Sequence, residues 1–443
     1  MLASKRQEQK GDAQAVGLNV GDIMSANGLK YRVPQALSSG VSRNYKKEYA
    51  QKGSYSKGQT LVVDWNTGTQ YVSPETALLG FSFNITQTAE LAGNDRAYDW
   101  GGSLGAAALF REIRIISKNG VEIDRIQDAA QLAKIWVDYH VSAAGKGVLE
   151  MAQGYGEVAG LPEVLATATS FAEVVECVIP LRFLSGFFRP KVAGMLIPAG
   201  MASGLRIEIQ LVDNPALALI QTEGATVTDF SVSDAVMLLE CTELNDPTQG
   251  ALMAESSSNG LEYTFPSYYS TQLSVGAGSN ITTQVNKAVS LATRMFLACQ
   301  PEIAAPEVEI TVDSYASIPG GDYADYQFRV GSYYFPNQVV TKKTEKLAHT
   351  QAAWAPFTDI QWAPNLVDYD NFFLGGLAGG SAVVCTSLET AGIGVNLSGL
   401  PLNNSSTGEI RFKNGGAVPV RGVLYLEFLT VANCSLNRTV IKI

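Results

Sequence analysis

The residue types that carry most enzyme chemistry are scarce in this chain. Its 443 residues include only two histidines, His140 and His349, which lie far apart in the sequence. A nucleophile activated by histidine and a metal site rich in histidine both need imidazole groups close together. His140 ends a predicted helix and His349 lies in the polar segment EKLAHTQ. Both are therefore expected to have structural or surface roles.

The cysteines do not form a reactive or metal-binding set. There are five of them, widely spaced and with no C-x-x-C pair: Cys177, Cys241, Cys299, Cys385 and Cys434. An odd, scattered set in a long chain is typical of reduced thiols that pack as small apolar side chains. This usage favours assembly in the cytoplasm or nucleus of a cell, where thiols stay reduced.

Carboxylate pairs and glycine runs give no stronger site. Glu208 with Asp213, and Glu122 with Asp124, fall on the polar face of predicted strands, where charge is normally solvated. A glycosidase would need such a pair inside an aromatic groove. The runs GGSLGA, GGLAGG and AAGKGV lack the spacing of dinucleotide- or phosphate-binding loops. The sequence therefore predicts no catalytic residue, cofactor or metal, and no enzyme.

Charge is distributed unevenly along the chain. Ten basic and four acidic side chains give residues 1–57 a net charge of +6, so with −10 overall the other 386 residues carry −16. A basic arm on an acidic body often contacts phosphate, of nucleic acid or of lipid headgroups, although a solvated tail has the same composition. The chain is too acidic for a dedicated nucleic-acid reader, and no sequence-specific nucleic-acid binding is expected.

Alternating patterns predict antiparallel strands. In GLRIEIQLVDNP (204–215), apolar and polar residues alternate strictly, which indicates one buried and one solvated face. In FREIRIISKNGVEIDRI (110–126), two alternating runs flank Asn119-Gly120, a pair that supplies the two positive-φ positions of a tight hairpin turn. The next segment, DAAQLAKIWVDYH, has apolar residues at helical spacing and Asp128 as the expected N-cap.

The second half repeats this plan. Alternating stretches such as GLEYTFPSYYSTQLS and VLYLEFLTV predict strands, and a short helix is expected around Glu345–Ala352. Two blocks of similar size, each almost all-β with one helix in a long crossover, predict a duplicated sandwich. The turn-rich NDPTQG (245–250) separates them. The predicted limits are an arm at 1–52 and domains at 53–246 and 247–443.

Several of these stretches, in their order and spacing, resemble the double jelly-roll major capsid proteins of eukaryotic double-stranded DNA viruses, especially of Polinton-like viruses and virophages. They are LFREIRIISKNGVEIDRIQDAAQL, IPLRFLSGFFRP, LIPAGMASGLRIEIQLVDNPALAL, VSDAVMLLECTEL and SYYFPNQVV. The resemblance covers about residues 55–443. It departs in 143–170 and 387–408, so it does not define the shape of the outer tower loops.

The resemblance implies an all-β chain of two consecutive eight-stranded jelly-roll sandwiches, with short helices in crossover loops and an extended N-terminal arm. It implies a homotrimer that forms a pseudo-hexameric capsomer, and capsomers that tile an icosahedral shell around a double-stranded DNA genome. The expected location is the virion capsid, assembled in the host cytoplasm or nucleus. The implied partners are neighbouring capsomers, penton proteins, minor or cement proteins, and an inner membrane beneath the arm.

Two sets of residues are candidate contacts in such a shell. The arm would contact the underside of the assembly through its basic side chains, namely Lys5, Arg6, Lys10, Lys30, Arg32, Arg43, Lys46 and Lys47. Paired tyrosines would anchor interfaces, with core packing as the alternative for each, namely Tyr268, Tyr269, Tyr333 and Tyr334.

Two other functions share this composition. A single-jelly-roll capsid or fibre protein with a β-rich projection would have one helix-bearing sandwich instead of two. A carbohydrate-active β-sandwich enzyme would need a carboxylate pair in an aromatic groove.

Overall fold

A computed structural model gives the architecture of the chain. It describes residues 40–88, 98–100, 104–141, 170–192, 194–221, 226–302, 315, 317–354, 367, 372–373, 380–389, 399–403, 407–435 and 438–442. These residues form two sets of strands, called module 1 and module 2, which share no strand pairing. Within the described ranges, every helix is too short or too polar to cross a membrane.

Module 1 is built from eleven strands. They are β1 (Gly40–Tyr49), β2 (Ser54–Ser56), β3 (Thr60–Asp64), β4 (Tyr71–Thr88), β5 (Tyr98–Trp100), β6 (Phe110–Ile116), β7 (Glu122–Gln127), β8 (Ser170–Pro180), β9 (Arg206–Leu211), β10 (Leu219–Gln221) and β11 (Thr226–Leu244). One sheet has the order β1–β11–β4–β8, with β2 also on β11, and the facing sheet has the order β3–β9–β6–β7. The short strands β5 and β10 form a separate pair.

Module 2 follows the same plan with ten strands. They are β12 (Leu261–Val275), β13 (Asn280–Val285), β14 (Val289–Pro301), β15 (Tyr323–Val330), β16 (Tyr333–Val340), β17 (Val383–Ser387), β18 (Leu400–Leu402), β19 (Gly408–Asn414), β20 (Val420–Ser435) and β21 (Arg438–Lys442). One sheet has the order β12–β20–β14–β17, with β18 on β14 and β21 on β20, and the facing sheet has the order β13–β19–β15–β16.

The two modules have the same topology. When the eight main strands of each are numbered along the chain, both modules have one sheet in the order 1-8-3-6 and the other in the order 2-7-4-5. Eight antiparallel strands arranged in this way form a jelly roll. The fold predicted from the sequence, an all-β double jelly roll, is confirmed, and the second module rules against a single sandwich with a projection.

In the part of the chain that the structure describes, the α-helices that connect these strands are α1 (Ala129–His140), α2 (Ala199–Ala202), α3 (Asp246–Ser258) and α4 (Lys343–Trp354). Helices α1 and α4 occupy equivalent places, each between the fifth and sixth main strands of its module. Helix α3 joins the modules. Both α1 and α4 were predicted from the sequence, whereas α3 was not.

Strand β9 is buried on one face, as its alternating sequence predicts, whereas β20 is buried on both faces. Ile207, Ile209 and Leu211 are fully buried while Arg206 is exposed, as the sequence predicted. In β20, Leu424 and Leu426 pack into the sandwich, but Tyr425 on the opposite face is also fully buried. The outer face of that sheet must therefore be covered by another part of the chain.

Two local predictions were wrong. Gly120 has a φ of 75°, but Asn119 does not have a positive φ. The amide of Gly120 donates to Ser117 O at 2.9 Å, so the turn is longer than the predicted two-residue type. Asp128 precedes α1 with a φ of 54°, and its side chain makes no capping hydrogen bond.

The N-terminal arm was predicted to be extended with short ordered pieces, and one such piece lies within the described residues. Residues 40–49 form strand β1 of module 1. Two hydrogen bonds fix this segment to β11: Ala50 N donates to Ala235 O at 2.9 Å, and Ser42 Oγ donates to Glu243 Oε2 at 3.1 Å. Because a free edge of β11 accepts this strand, these residues belong to the sheet. The domain limits themselves stay predictions.

Candidate interaction surfaces

Module 1 covers the outer face of the β12–β20–β14–β17 sheet, called the module-2 outer face. Helix α1 and the residue before it, Asp128, lie on this face and form hydrogen bonds with it at several points, including the following three. Tyr139 Oη donates to Ser381 O at 3.0 Å, Trp136 Nε1 donates to Tyr268 Oη at 3.1 Å, and Tyr425 Oη donates to Asp128 O at 3.0 Å. These contacts explain why both faces of β20 are buried.

Charged groups are enclosed at this junction between the modules. Glu427 on β20 pairs with Arg294 on β14, with 3.2 Å between Oε2 and Nη1. The guanidinium carbon of Arg189 lies 3.5 Å from the ring centroid of Trp136, a close cation–π contact. His140 lies at the exposed end of α1, where its ring stacks on Trp136 with 3.6 Å between the ring centroids.

Asp124 contradicts the prediction that it lies on a solvated face. It is only 3 % exposed. Ser185 Oγ of module 1 donates to its Oδ2 at 2.6 Å, and Ser267 Oγ of module 2 donates to its Oδ1. Desolvation raises its pKa to about 6, although the two serine hydrogen bonds and the charge of Arg189 act in the opposite direction. Asp124 therefore links the two modules.

The corresponding face of module 1 is not buried in this way. The outer face of the β1–β11–β4–β8 sheet, called the module-1 outer face, carries five half-buried apolar side chains, namely Leu78, Val178, Pro180, Val236 and Leu238. Val174, on β8, is 61 % exposed. These apolar side chains make the face a candidate surface for protein contact.

Strand β1 borders this face with alternating basic and aromatic side chains. Arg43, Tyr45, Lys47 and Tyr49 share one side of the strand by its period of two. Tyr45 is 76 % exposed and Tyr49 is 69 % exposed. Arg43 forms an ion pair with the buried carboxylate of Glu240. The basic residues are evident from their charge alone, whereas the two tyrosines could be recognised only from the alternation along the strand.

The remaining predicted contact residues are dispersed. Lys46 pairs with Glu48 at 3.3 Å, whereas Lys47 is exposed. Tyr268 is 3 % exposed and lies inside the junction, and Tyr269 packs partly buried against the core. Tyr333 and Tyr334 are exposed on β16, an edge strand. The other predicted basic residues lie outside the described ranges: Lys5, Arg6, Lys10, Lys30 and Arg32.

The described residues offer little reactive chemistry. All five cysteines are buried and unpaired. Desolvation raises the pKa of Cys177 to about 12, so its reactive thiolate form is rare. Among residues that the structure describes, no group of three or more His, Cys, Asp or Glu side chains is placed to hold a metal ion.

Comparison with known proteins rests on structure alone. No protein-family model and no curated protein sequence matches the chain. The fold matches VP54 of PBCV-1, as fitted into a reconstruction of the virophage Sputnik, with a TM-score of 0.61 at 8% identity, covering 93% of this chain and 99% of the other. It matches the Faustovirus major capsid protein with a TM-score of 0.60 at 8% identity, covering 94% of each chain.

The mavirus major capsid protein is also similar, with a TM-score of 0.52 at 9% identity, covering 93% of this chain and 91% of that one. At such low identity, the similarity concerns the fold. The chain has the double jelly-roll fold of these viral major capsid proteins, and the resemblance seen in the sequence is confirmed at that level.

Proposed function

We propose that this chain is a major capsid protein, which forms homotrimers that assemble as pseudo-hexameric capsomers into an icosahedral shell around a double-stranded DNA genome. Three neighbours that share its fold over nearly their whole length are capsid proteins. The candidate contact surface is a sheet face and not a cleft, and the titratable groups at the junction, such as Asp124 and Glu427, bond to neighbouring side chains of the chain itself. These features favour a structural role over the carbohydrate-active alternative.

The proposal of self-assembly rests on one observation: the module-2 outer face is buried, whereas the equivalent module-1 outer face is partly exposed. The module-2 outer face is covered by α1 of module 1, while the module-1 outer face keeps Leu238, Val236 and Leu78 partly exposed. Helix α4 occupies in module 2 the place that α1 occupies in module 1. Helix α4 of a second copy, lying on the module-1 outer face, would repeat the intrachain contact between copies.

Such a contact is heterologous, because it joins two different surfaces. Heterologous contacts close into rings when the rotation between copies permits it. Three chains of two modules each give a ring of six sandwiches, the pseudo-hexameric arrangement that the sequence resemblance implies. Tyr45 and Tyr49 border the same face and would add aromatic contact area.

The partners beyond the trimer are neighbouring capsomers, penton proteins and minor or cement proteins, and the location is the virion capsid. The basic residues of the N-terminal segment would contact the underside of the shell or an inner membrane. Tyr333 and Tyr334 remain candidate anchors between subunits because both are exposed on an edge strand.

The test is the oligomeric state of the purified chain, measured by size-exclusion chromatography with light scattering and by negative-stain microscopy. We expect a particle of three times 47.3 kDa with a six-sided outline. Leu238→Asp places a charge on the module-1 outer face and should weaken the trimer at least about hundredfold, since burying an unpaired charge costs several kcal/mol.

Val121→Asp is the matched control, because Val121 is 37 % exposed in the turn between β6 and β7. It should leave the trimer intact. A monomeric wild-type chain, or a Leu238→Asp variant that assembles as well as the wild type, would contradict the proposal. Hydrolysis of a glycan by the purified monomer would support the enzyme alternative instead.

A further inference from the structure

A cavity of about 220 Å³ lies between the modules at the start of α1. Module 1 contributes Asp128, Gln131 and Arg111 to its lining, and module 2 contributes Gln272 and Arg421. The volume is several times the roughly 30 Å³ that one water occupies in the liquid. The cavity can therefore hold a polyatomic ligand.

The N-terminus of α1 faces this cavity without a side-chain cap. Asp128 stands at the N-cap position, but its carboxylate accepts two hydrogen bonds from Gln272 Nε2, both 2.9 Å long, and pairs with Arg421 at 3.5 Å. The side chain that would normally satisfy the first backbone N–H groups is thus held elsewhere. N–H groups without a side-chain cap and the positive end of the helix dipole favour an anion at such a position.

A second, independent feature is an amide donor without an acceptor. Gln131 is 2 % exposed, and its Nε2 has no hydrogen-bond partner. Gln300 Nε2 donates to Gln131 Oε1, so the Oε1 side of this amide is already occupied. Arg421 Nε is also buried without a partner. A buried donor left unsatisfied is costly, so both groups favour a ligand with acceptor oxygens.

The charges of the lining are compatible with this ligand. Its two carboxylates are each paired with a guanidinium, Asp128 with Arg421 and Asp213 with Arg111 at 3.4 Å. The formal charges of the lining therefore balance. The positive end of the helix dipole and the donors without an acceptor then favour a ligand with negative charge and acceptor oxygens.

We infer that this cavity is a binding site for a small oxyanion, either inorganic phosphate or a carboxylate, held by the uncapped start of α1, Gln131 and Arg421. Because its donors come from both modules, the bound anion joins them and stabilises the folded chain by mass action. The site does not depend on the proposed capsid function.

The test uses the full-length chain and isothermal titration calorimetry with phosphate and with acetate at constant ionic strength. We expect saturable binding of at least one of them, with one site per chain. Gln131→Glu keeps an acceptor for Gln300 and places a negative charge in the cavity. It should weaken binding at least about tenfold through like-charge repulsion.

Gln284→Glu is the matched control, because it adds the same charge at an exposed position on β13 and should leave the affinity unchanged. Arg111→Gln tests the exposed rim of the cavity and should weaken binding severalfold even if Gln131→Glu does not fold. Absence of saturable binding by both anions overturns the inference, as does equal affinity in the wild type and every folded cavity variant.

Discussion

Asp124 is a carboxyl group buried between the modules, where desolvation makes ionisation unfavourable. Its two serine partners come from different modules, so its protonation state affects a contact that spans the junction. This burial could not be predicted from the sequence, because Glu122 and Asp124 stand two residues apart and would project to the same side of a regular strand. In the structure, the pairing of β7 with β6 is irregular between Glu122 and Asp124, and Ser267 of module 2 packs against Asp124, so only Asp124 is buried.

Asp124 should make stability fall as pH rises. Its pKa is about 6 in the folded chain, against an ordinary value of 3.8. The folded state therefore holds the proton more tightly, and this stabilising contribution is complete below pH 4 and lost as pH rises through 6. A shift of this size corresponds to about 3 kcal/mol.

Asp124→Asn mimics the protonated form, so the wild type should become less stable relative to this variant between pH 4 and pH 7. Chemical denaturation at several pH values measures the difference in unfolding free energy. Asp229→Asn is the control at an exposed carboxylate, with a side chain 56% exposed. A constant difference between wild type and Asp124→Asn across this range would show that Asp124 ionises normally.

At the scale of single elements, α3 shows how a turn signal can conceal a helix. The stretch NDPTQG reads as a turn because Asn, Asp, Pro and Gly cluster in it. In the structure, Asn245 is the N-cap of α3, and its Oδ1 accepts from Thr248 N at 3.1 Å. A proline in the first turn is also compatible with a helix start. The apolar pattern that would have identified the helix is weak, because α3 is polar on most sides.

Loss of this cap should destabilise the connection between the modules. Asn245→Ala removes the acceptor for Thr248 N and should lower the unfolding free energy by about 1 kcal/mol. Asn245→Asp keeps a capping oxygen and should stay within a few tenths of a kcal/mol of the wild type. Thermal and chemical denaturation compare the three proteins, and equal losses in both variants would indicate that the cap contributes nothing.

The strands were more predictable than the surfaces. Alternation in β9, the hairpin of β6 and β7, and the helical spacing in α1 all depend on neighbours within a few residues, so local sequence was sufficient. The burial of Tyr425 and Tyr268 depends on α1, which is distant in sequence. The cavity beside Gln131 depends in the same way on an N-cap residue that pairs with module 2 instead of its own helix.

At the scale of the whole molecule, β1 separates two roles within the N-terminal segment. Residues 40–49 complete a sheet of module 1, and Arg43 neutralises the buried Glu240. Residues 1–39 carry most of the basic side chains proposed to contact the underside of the shell. The boundary between structure and assembly contacts should therefore fall close to residue 40.

Deletion of residues 1–39 should leave trimers of unchanged thermal stability but impair shell formation. Deletion of residues 1–49 should also lower the melting temperature, because it removes β1 and its pairing with the edge of β11. Light scattering, calorimetry and electron microscopy of assembly reactions measure the three properties. Replacing Lys5, Arg6, Lys10, Lys30 and Arg32 by Gln in the full-length chain removes the basic charges and keeps the segment. This variant shows whether shell formation needs the charges or the length of the segment. Normal shells from both the deletion and the Gln variant would remove any assembly role from this segment.

The five buried thiols affect how the proposed shell would respond to an oxidising environment. A virion leaves the reducing interior of a cell for oxidising surroundings, and many proteins change their covalent cross-links on that passage. Here every sulfhydryl is enclosed in a sandwich and has no partner within its own chain. In the proposed shell, these enclosed thiols would therefore form no disulfides outside the host, and we expect the thermal stability of the chain to be the same with and without a reductant.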